Sequence, residues 1–112
     1  MFMGRDTLIF GALLYGCAGA VAATANVAPA LAVGIYDAVT AGDLAKALHL
    51  QTKLAPVRRL FTVGSHPAGL KEAMVQLGLI ECGRCRRPTL DLTPSQRTEV
   101  TKILREVGLL GN

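Results

Sequence analysis

The sequence predicts a mainly α chain of α/β character: a helix, one buried strand, then four more helices. Three observations carry this reading. Thr7 to Tyr36 holds no charged residue, yet Gly11, Gly16, Gly19, Asn26 and Pro29 interrupt it. Within it, AGAVAA at 18–23 is a continuous apolar run too short for a helix, as expected of a strand covered on both faces. The rest of the chain repeats apolar residues at helical spacing, each segment preceded by a capping residue and closed by glycine or proline. At 112 residues there is room for one domain at most.

Taken in order, Asp6 is placed to cap a first helix, with Leu8, Ile9, Ala12 and Leu13 on one face and Gly16 ending it. The strand follows at about 18–22. Thr24 or Asn26 then caps a second helix, with Pro29 in its first turn, where a missing N–H costs nothing. That helix runs to about Thr40 and breaks at Ala41-Gly42. Asp43 caps a third helix through Leu44, Ala47, Leu48, Gln51 and Leu54, bent at Pro56 and reaching Phe61. Pro67 starts a fourth helix with Leu70, Met74 and Leu77 on one face and Gly78 as its stop. ECGRCRRPTLDL, 81–92, is an irregular crossing. Thr93 and Pro94 open a last helix whose stripe is Val100, Ile103, Leu104 and Val107, closed by Gly108.

The composition is 51% hydrophobic and 18% charged, which excludes a disordered chain. Aromatic residues make up 4% and Trp is absent, so the core leans on alanine and is thin. The net charge of +4 is mild. Arginines bunch at Arg58-Arg59 and at Arg84, Arg86 and Arg87, without interleaved aromatics, so nucleic acid is not an expected partner. Of three cysteines, Cys17 reads as a small buried residue. Cys82 and Cys85 form a lone C-x-x-C. His49 and His66 do not complete a zinc set, and no strand precedes the pair as a thioredoxin-like site requires, so ordinary loop residues are the favoured reading and no metal is expected.

The uncharged stretch admits three readings. A secretory signal is disfavoured because Asp6 stands directly before the run and Asn26 and Pro29 lie inside it. A membrane helix needs about 20 mostly apolar residues, and the length suffices. The glycines, Thr24, Asn26 and Pro29 break it, and alanine and glycine contribute little to insertion. The third reading is helix, tight turn, buried strand and a new helix start, which is one β/α unit of a barrel.

Gly4-x-Asp6, then Gly16-x-x-Gly19-Ala20-Val21, then Thr24-Ala25-Asn26-Val27-Ala28-Pro29 resemble the last part of the dihydrodipicolinate synthase and N-acetylneuraminate lyase family. Gly42-Asp43 and the helix after it, Leu54-Ala55-Pro56-Val57-Arg58 through Phe61, Pro67-Ala68-x-Leu70-Lys71-Glu72-Ala73, Leu77-Gly78, Arg87-Pro88 and the closing Gly108-Leu109-Leu110 continue the resemblance in order. It covers nearly the whole chain.

The resemblance implies a (β/α)8 TIM barrel with a C-terminal helical extension, usually tetrameric. Residues 1–40 would be the end of the barrel (tail of strand 7, helix 7, strand 8, helix 8) and 41–112 the extension. It implies a cytoplasmic class I aldolase-type lyase in which a Lys forms a Schiff base with pyruvate or another 2-keto acid, with a Tyr relaying protons, a Thr pair holding the carboxylate, and no cofactor. A complete barrel takes about 250 residues, and in this pattern the strands bearing that Lys, Tyr and Thr pair fall before Met1. Lys46, Lys53, Lys71 and Lys102 all lie on predicted C-terminal helices, so no catalytic residue is assigned here. Two positions carry over as substrate-binding: Val21, which matches the apolar residue closing the keto-acid pocket, and Gly4, whose backbone lines it. Ala22 stands where many members have a hydroxyl. The expected partners are a homo-oligomer or a separate N-terminal chain. The alternatives are a small helical interaction or subunit protein derived from the barrel and, less favoured, a small membrane protein.

Overall fold

Two short parallel strands open the chain. β1, Phe2–Met3, pairs with β2, Gly19–Ala20, in the register Phe2↔Gly19 and Met3↔Ala20. Flanking bonds lengthen the ladder: Ala18 N–H donates to the Met1 carbonyl at 2.9 Å and Val21 N–H to the Met3 carbonyl at 2.9 Å. The connection is a 3₁₀ turn, Asp6–Leu8, running into helix α1, Ile9–Leu14. Parallel neighbours need such a crossover, so the predicted helix and strand belong to one β-α-β unit. The structure is a computed structural model and describes residues 1–111.

The predicted strand is present, but it is not covered on both faces. Gly19 and Ala20 are half-buried and Val21 is 75% exposed. The sheet has two strands among the described residues, so both of its edges are open. Cys17, expected inside, is half-buried. The uncharged stretch is divided among α1, β2, a 3₁₀ turn at Ala23–Asn26 and the start of α2. Among the described residues no helix is long and apolar enough to cross a membrane.

Helix α2, Pro29–Thr40, begins with proline at its first position as expected, but its N-cap is Ala28 and no side chain caps it. Thr24 and Asn26, the anticipated caps, are engaged elsewhere. Thr24 bonds Asp6, and Asn26 Nδ2 donates to the Ala23 carbonyl at 2.9 Å. The helix ends in a Schellman motif: Gly42, at φ 78°, donates to the Val39 carbonyl and Asp43 N–H to that of Ala38. Helix α3, Leu44–Leu54, starts at once, capped by the Asp43 carboxylate accepting from Lys46 N–H at 3.1 Å. A Cβ on Gly34 would lie 3.0 Å from Leu50 Cδ1, so glycine permits the close approach of α2 and α3. Ile35, Ala38, Ala47 and Leu54 fill this core. Leu44 and Leu48, assigned to the buried stripe, remain 46% and 54% exposed.

The third helix was expected to bend at Pro56 and reach Phe61. It stops at Leu54 and tightens into a 3₁₀ segment, Ala55–Thr62, because Pro56 has no N–H to continue the α ladder. The chain forms two compact units, Met1–Pro56 and Val57–Asn112. In the second, helix α4, Ala68–Gln76, buries Ala68, Gly69, Leu70 and Ala73, a face rotated from the Leu70, Met74 and Leu77 stripe. Gly69 sets that rotation: a Cβ there would lie 2.2 Å from the Leu60 carbonyl oxygen, so α4 rests its backbone on the 3₁₀ segment. Helix α5, Pro94–Glu106, opens with a full capping box between Thr93 and Gln96 and buries Val100, Ile103 and Leu104.

Candidate active-site face at the strand ends

The loops that leave β1 and β2 are held together by a buried polar cluster. Asp6, 1% exposed, points away from the helix it was expected to cap. Its Oδ1 accepts the Thr24 N–H at 2.9 Å and the Thr24 hydroxyl at 2.6 Å. Thr24 is itself fully buried. A charge-assisted pair of bonds thus joins the turn after one strand to the turn after the other. Gln51 of α3 adds a second tie. Its Nε2 donates to the Asp6 carbonyl at 3.0 Å, and its Oε1 accepts the Phe10 N–H at 2.9 Å. Phe10 lies in the first turn of α1, where N–H groups lack partners within the helix. One glutamine amide therefore anchors the start of α1 and fixes the backbone that carries Asp6.

The two residues singled out from sequence directly follow the strands. Gly4 directly follows β1, is exposed, and has no atom within 4 Å of where a Cβ would stand. Val21 directly follows β2 and is tied to Met3 through its N–H. Continuing the observed register by one residue sets Gly4 beside Val21. Both lie at the carboxyl ends of adjacent parallel strands, where ligands bind in parallel α/β proteins. Arg5, exposed between Gly4 and Asp6, supplies a cation on the same rim.

The lysines are elsewhere. Lys46 and Lys53 are exposed on α3, Lys71 is half-buried on α4, and Lys102 is exposed on α5. Asp6, Thr24 and Gln51 escaped assignment as a cluster. Read locally, Asp6 and Thr24 fit capping roles, and nothing within a few residues links them. A glutamine on the buried face of α3 was the available signal for a polar tie.

A parallel β-α-β unit with its turns joined at the strand ends is an element of parallel α/β proteins, a class in which ligands bind at that end of the strands. The comparisons give the family. Residues 1–107 match the Dihydrodipicolinate synthetase family, and the chain belongs to it.

A 4-hydroxy-tetrahydrodipicolinate synthase of Rhizobium meliloti is 36% identical over 110 residues, 98% of this chain and 37% of that protein. An uncharacterized DapA-like lyase of Halobacterium salinarum is 38% identical over 107 residues, 96% of this chain and 35% of that protein. Among solved structures, YagE of E. coli K12, a prophage protein of the dihydrodipicolinic acid synthase family in complex with pyruvate, superimposes with a TM-score of 0.90 at 27% identity. It is matched over 97% of this chain and 37% of its own. Dihydrodipicolinate synthase of Thermotoga maritima gives 0.86 at 28% identity, over 97% of this chain and 37% of its own. The chain thus spans a little over a third of the relatives it matches, and the mostly helical structure corresponds to part of their barrels.

Proposed function

We propose that these residues are the closing part of a pyruvate-dependent, Schiff-base-forming lyase of carbon–carbon bonds, with Gly4 and Val21 on the wall of the keto-acid pocket. The observation that carries this is the juxtaposition of Gly4 and Val21 at the strand ends, held by Asp6, Thr24 and Gln51. A glycine beside an apolar β-branched side chain leaves room for a small planar molecule and excludes water from one side of it. Arg5 offers a cation to a carboxylate.

In this reading the nucleophilic Lys is supplied by residues outside 1–112. Its amine attacks the ketone carbon of pyruvate and water leaves; the iminium accepts the electron pair when the adjacent carbon loses a proton or its carbon–carbon bond breaks, and the resulting enamine returns that pair to an aldehyde when the bond forms. The contribution of this chain is to shape and dry the pocket. A cytoplasmic homo-oligomer, with 1–40 as barrel and 41–112 as extension, belongs to the same proposal. The bound pyruvate of YagE supports the substrate class.

Borohydride trapping tests it. The 112-residue chain alone is expected to give no pyruvate adduct. A chimera joining the upstream part of the Rhizobium meliloti relative to residues 1–112 is expected to give one, and Val21→Arg in that chimera to abolish it. An adduct on the isolated chain would refute the external nucleophile. A folded chimera that traps nothing would refute the lyase reading.

A second reading, a helical interaction subunit, draws on the exposed apolar side chains concentrated in Met1–Pro56, among them Phe2, Tyr15 and Val33. Association of the pure chain with itself in solution, without any trapping in the chimera, would favour it.

A further inference from the structure

We propose that Cys82 and Cys85 form a thiol–disulfide exchange site on the loop after α4, with Cys82 the attacking and Cys85 the resolving sulfur, closing reversibly into an intramolecular disulfide. The lyase reading does not require it. Both thiols are free; Cys82 is exposed and Cys85 half-buried. The Cys82 Sγ accepts the Arg84 N–H at 3.5 Å, and the Cys85 thiol donates to the Gly83 carbonyl at 3.7 Å. The two cysteines line different cavities. Cys82 lines one of about 280 Å³ with Glu72, Glu81 and Arg97. Cys85 lines another of about 330 Å³ with Arg87 and Thr89. Arg84 and Asp91 border both. The two sulfurs are therefore separately accessible, as successive attack and resolution require.

A metal does not explain the pair. Among the described residues no group of three or more His, Cys, Asp or Glu could hold an ion. Bridged cysteines need Cα atoms roughly 4.4–6.8 Å apart, and residues 82–86 run without a turn in the dithiol form, so closure tightens the chain at Gly83-Arg84. Lys71 Nζ, which donates to the Arg84 carbonyl at 2.6 Å, anchors that same point to α4. In this proposal the anchored dithiol loop is the open form and the bridged loop the closed one.

Arg84, Arg86 and Arg87, all exposed, place three cations along the loop that carries the thiols, with Glu72, Glu81 and Asp91 also bordering the cavities. Such a surface attracts a small anionic disulfide, and glutathione disulfide, which bears carboxylates, is the probe of choice. In the first step the Cys82 thiolate attacks one glutathione sulfur. The glutathione S–S bond breaks, a Cys82–glutathione disulfide forms, and a glutathione thiolate leaves. In the second, Cys85 gives its proton to solvent and attacks the Cys82 sulfur, releasing the second glutathione thiolate. Two protein thiols are oxidised and one glutathione disulfide is reduced.

The test is to incubate the reduced chain with glutathione disulfide, block the remaining thiols and digest with trypsin. Cleavage after Arg84 and Arg86 separates the cysteines, so the peptide ending Cys82-Gly83-Arg84 stays joined to Cys85-Arg86 through an internal disulfide alone. That linked pair, with Cys17 unmodified, is the expected product. Glutathione persisting on Cys82, a linkage through Cys17, or dimers joined between chains would overturn the proposal. Cys85→Ser should accumulate the Cys82 adduct at the wild-type rate, while Cys82→Ser should form an adduct on Cys85 roughly tenfold more slowly. Equal rates would overturn the assignment of the attacking sulfur.

Discussion

Met1–Pro56 and Val57–Asn112 are of equal length and are built on different terms. Among the described residues, ten of the twelve exposed large apolar side chains lie in the first: Met1, Phe2, Leu8, Leu14, Tyr15, Val21, Val33, Tyr36, Leu44 and Leu48. The second contributes Leu79 and Leu90. The first unit spends its apolar residues on a surface and is held by α2 on α3 together with the Asp6–Thr24–Gln51 cluster. The second buries Leu60, Val100, Ile103 and Leu104 and carries the Arg59–Glu106 and Arg97–Glu72 ion pairs. Patches of exposed apolar surface mark interaction sites. The contrast therefore separates a unit that leaves an apolar surface uncovered from one that packs upon itself.

Four changes break or sharpen that contrast. The largest effect is expected in the second unit. Leu104→Ala, at a fully buried position, should cost about 3 kcal/mol through lost burial and the cavity left behind. Hydrogen exchange should show α4 and α5 losing protection while α2 and α3 keep theirs; equal loss in all four would show the two units opening together. Next, Asp6→Ala leaves the Thr24 N–H and hydroxyl without their buried acceptor and should cost roughly 2 kcal/mol. Its effect belongs to the first unit, read as a lowered urea midpoint with faster exchange at Phe10 and Thr24. A change below about 0.5 kcal/mol would remove the cluster from its structural role.

Thr93→Ala removes one half of the α5 capping box and should cost about 1 kcal/mol, confined to the second unit and measurable by the same denaturation. The smallest effect is a dependence on pH. A hydrogen bond from Arg59 and its positive charge hold the Glu106 carboxyl below its usual range. A depressed folded-state value favours the folded form above the unfolded carboxylate range, and this contribution fades as pH falls through the folded value. Glu106 is fully exposed, so the contribution is screened. Glu106→Gln should lie slightly below wild type at neutral pH and converge with it in acid. A gap that widens on acidification would contradict the assignment.

How much of this was legible follows the distance over which each interaction acts. The caps of α3 and α5 join residues three apart, Asp43 with Lys46 and Thr93 with Gln96, and both can be read directly from the sequence. The glycines ending α1, α2, α4 and α5 lie at positive φ, as their positions after each apolar stripe implied. The Asp6–Thr24 bond spans 18 residues and the Gln51–Asp6 bond 45, and neither has a local signature. The same holds for the exposure of Leu44 and Leu48, because periodicity shows which residues share a face and not whether anything covers it.

The sequence by itself determined the order of the helices and of β2, though not β1, where most helices begin and end, and the family to which their pattern belongs, because capping, turn chemistry and helical spacing act within a few residues. Only the tertiary structure decided that β1 pairs in parallel with β2, that Gly4 therefore stands beside Val21, and that Asp6 joins two loops rather than capping a helix. Those outcomes depend on groups far apart in the chain. They are settled by which arrangement satisfies buried donors and acceptors at once, a condition that no short stretch of residues can express.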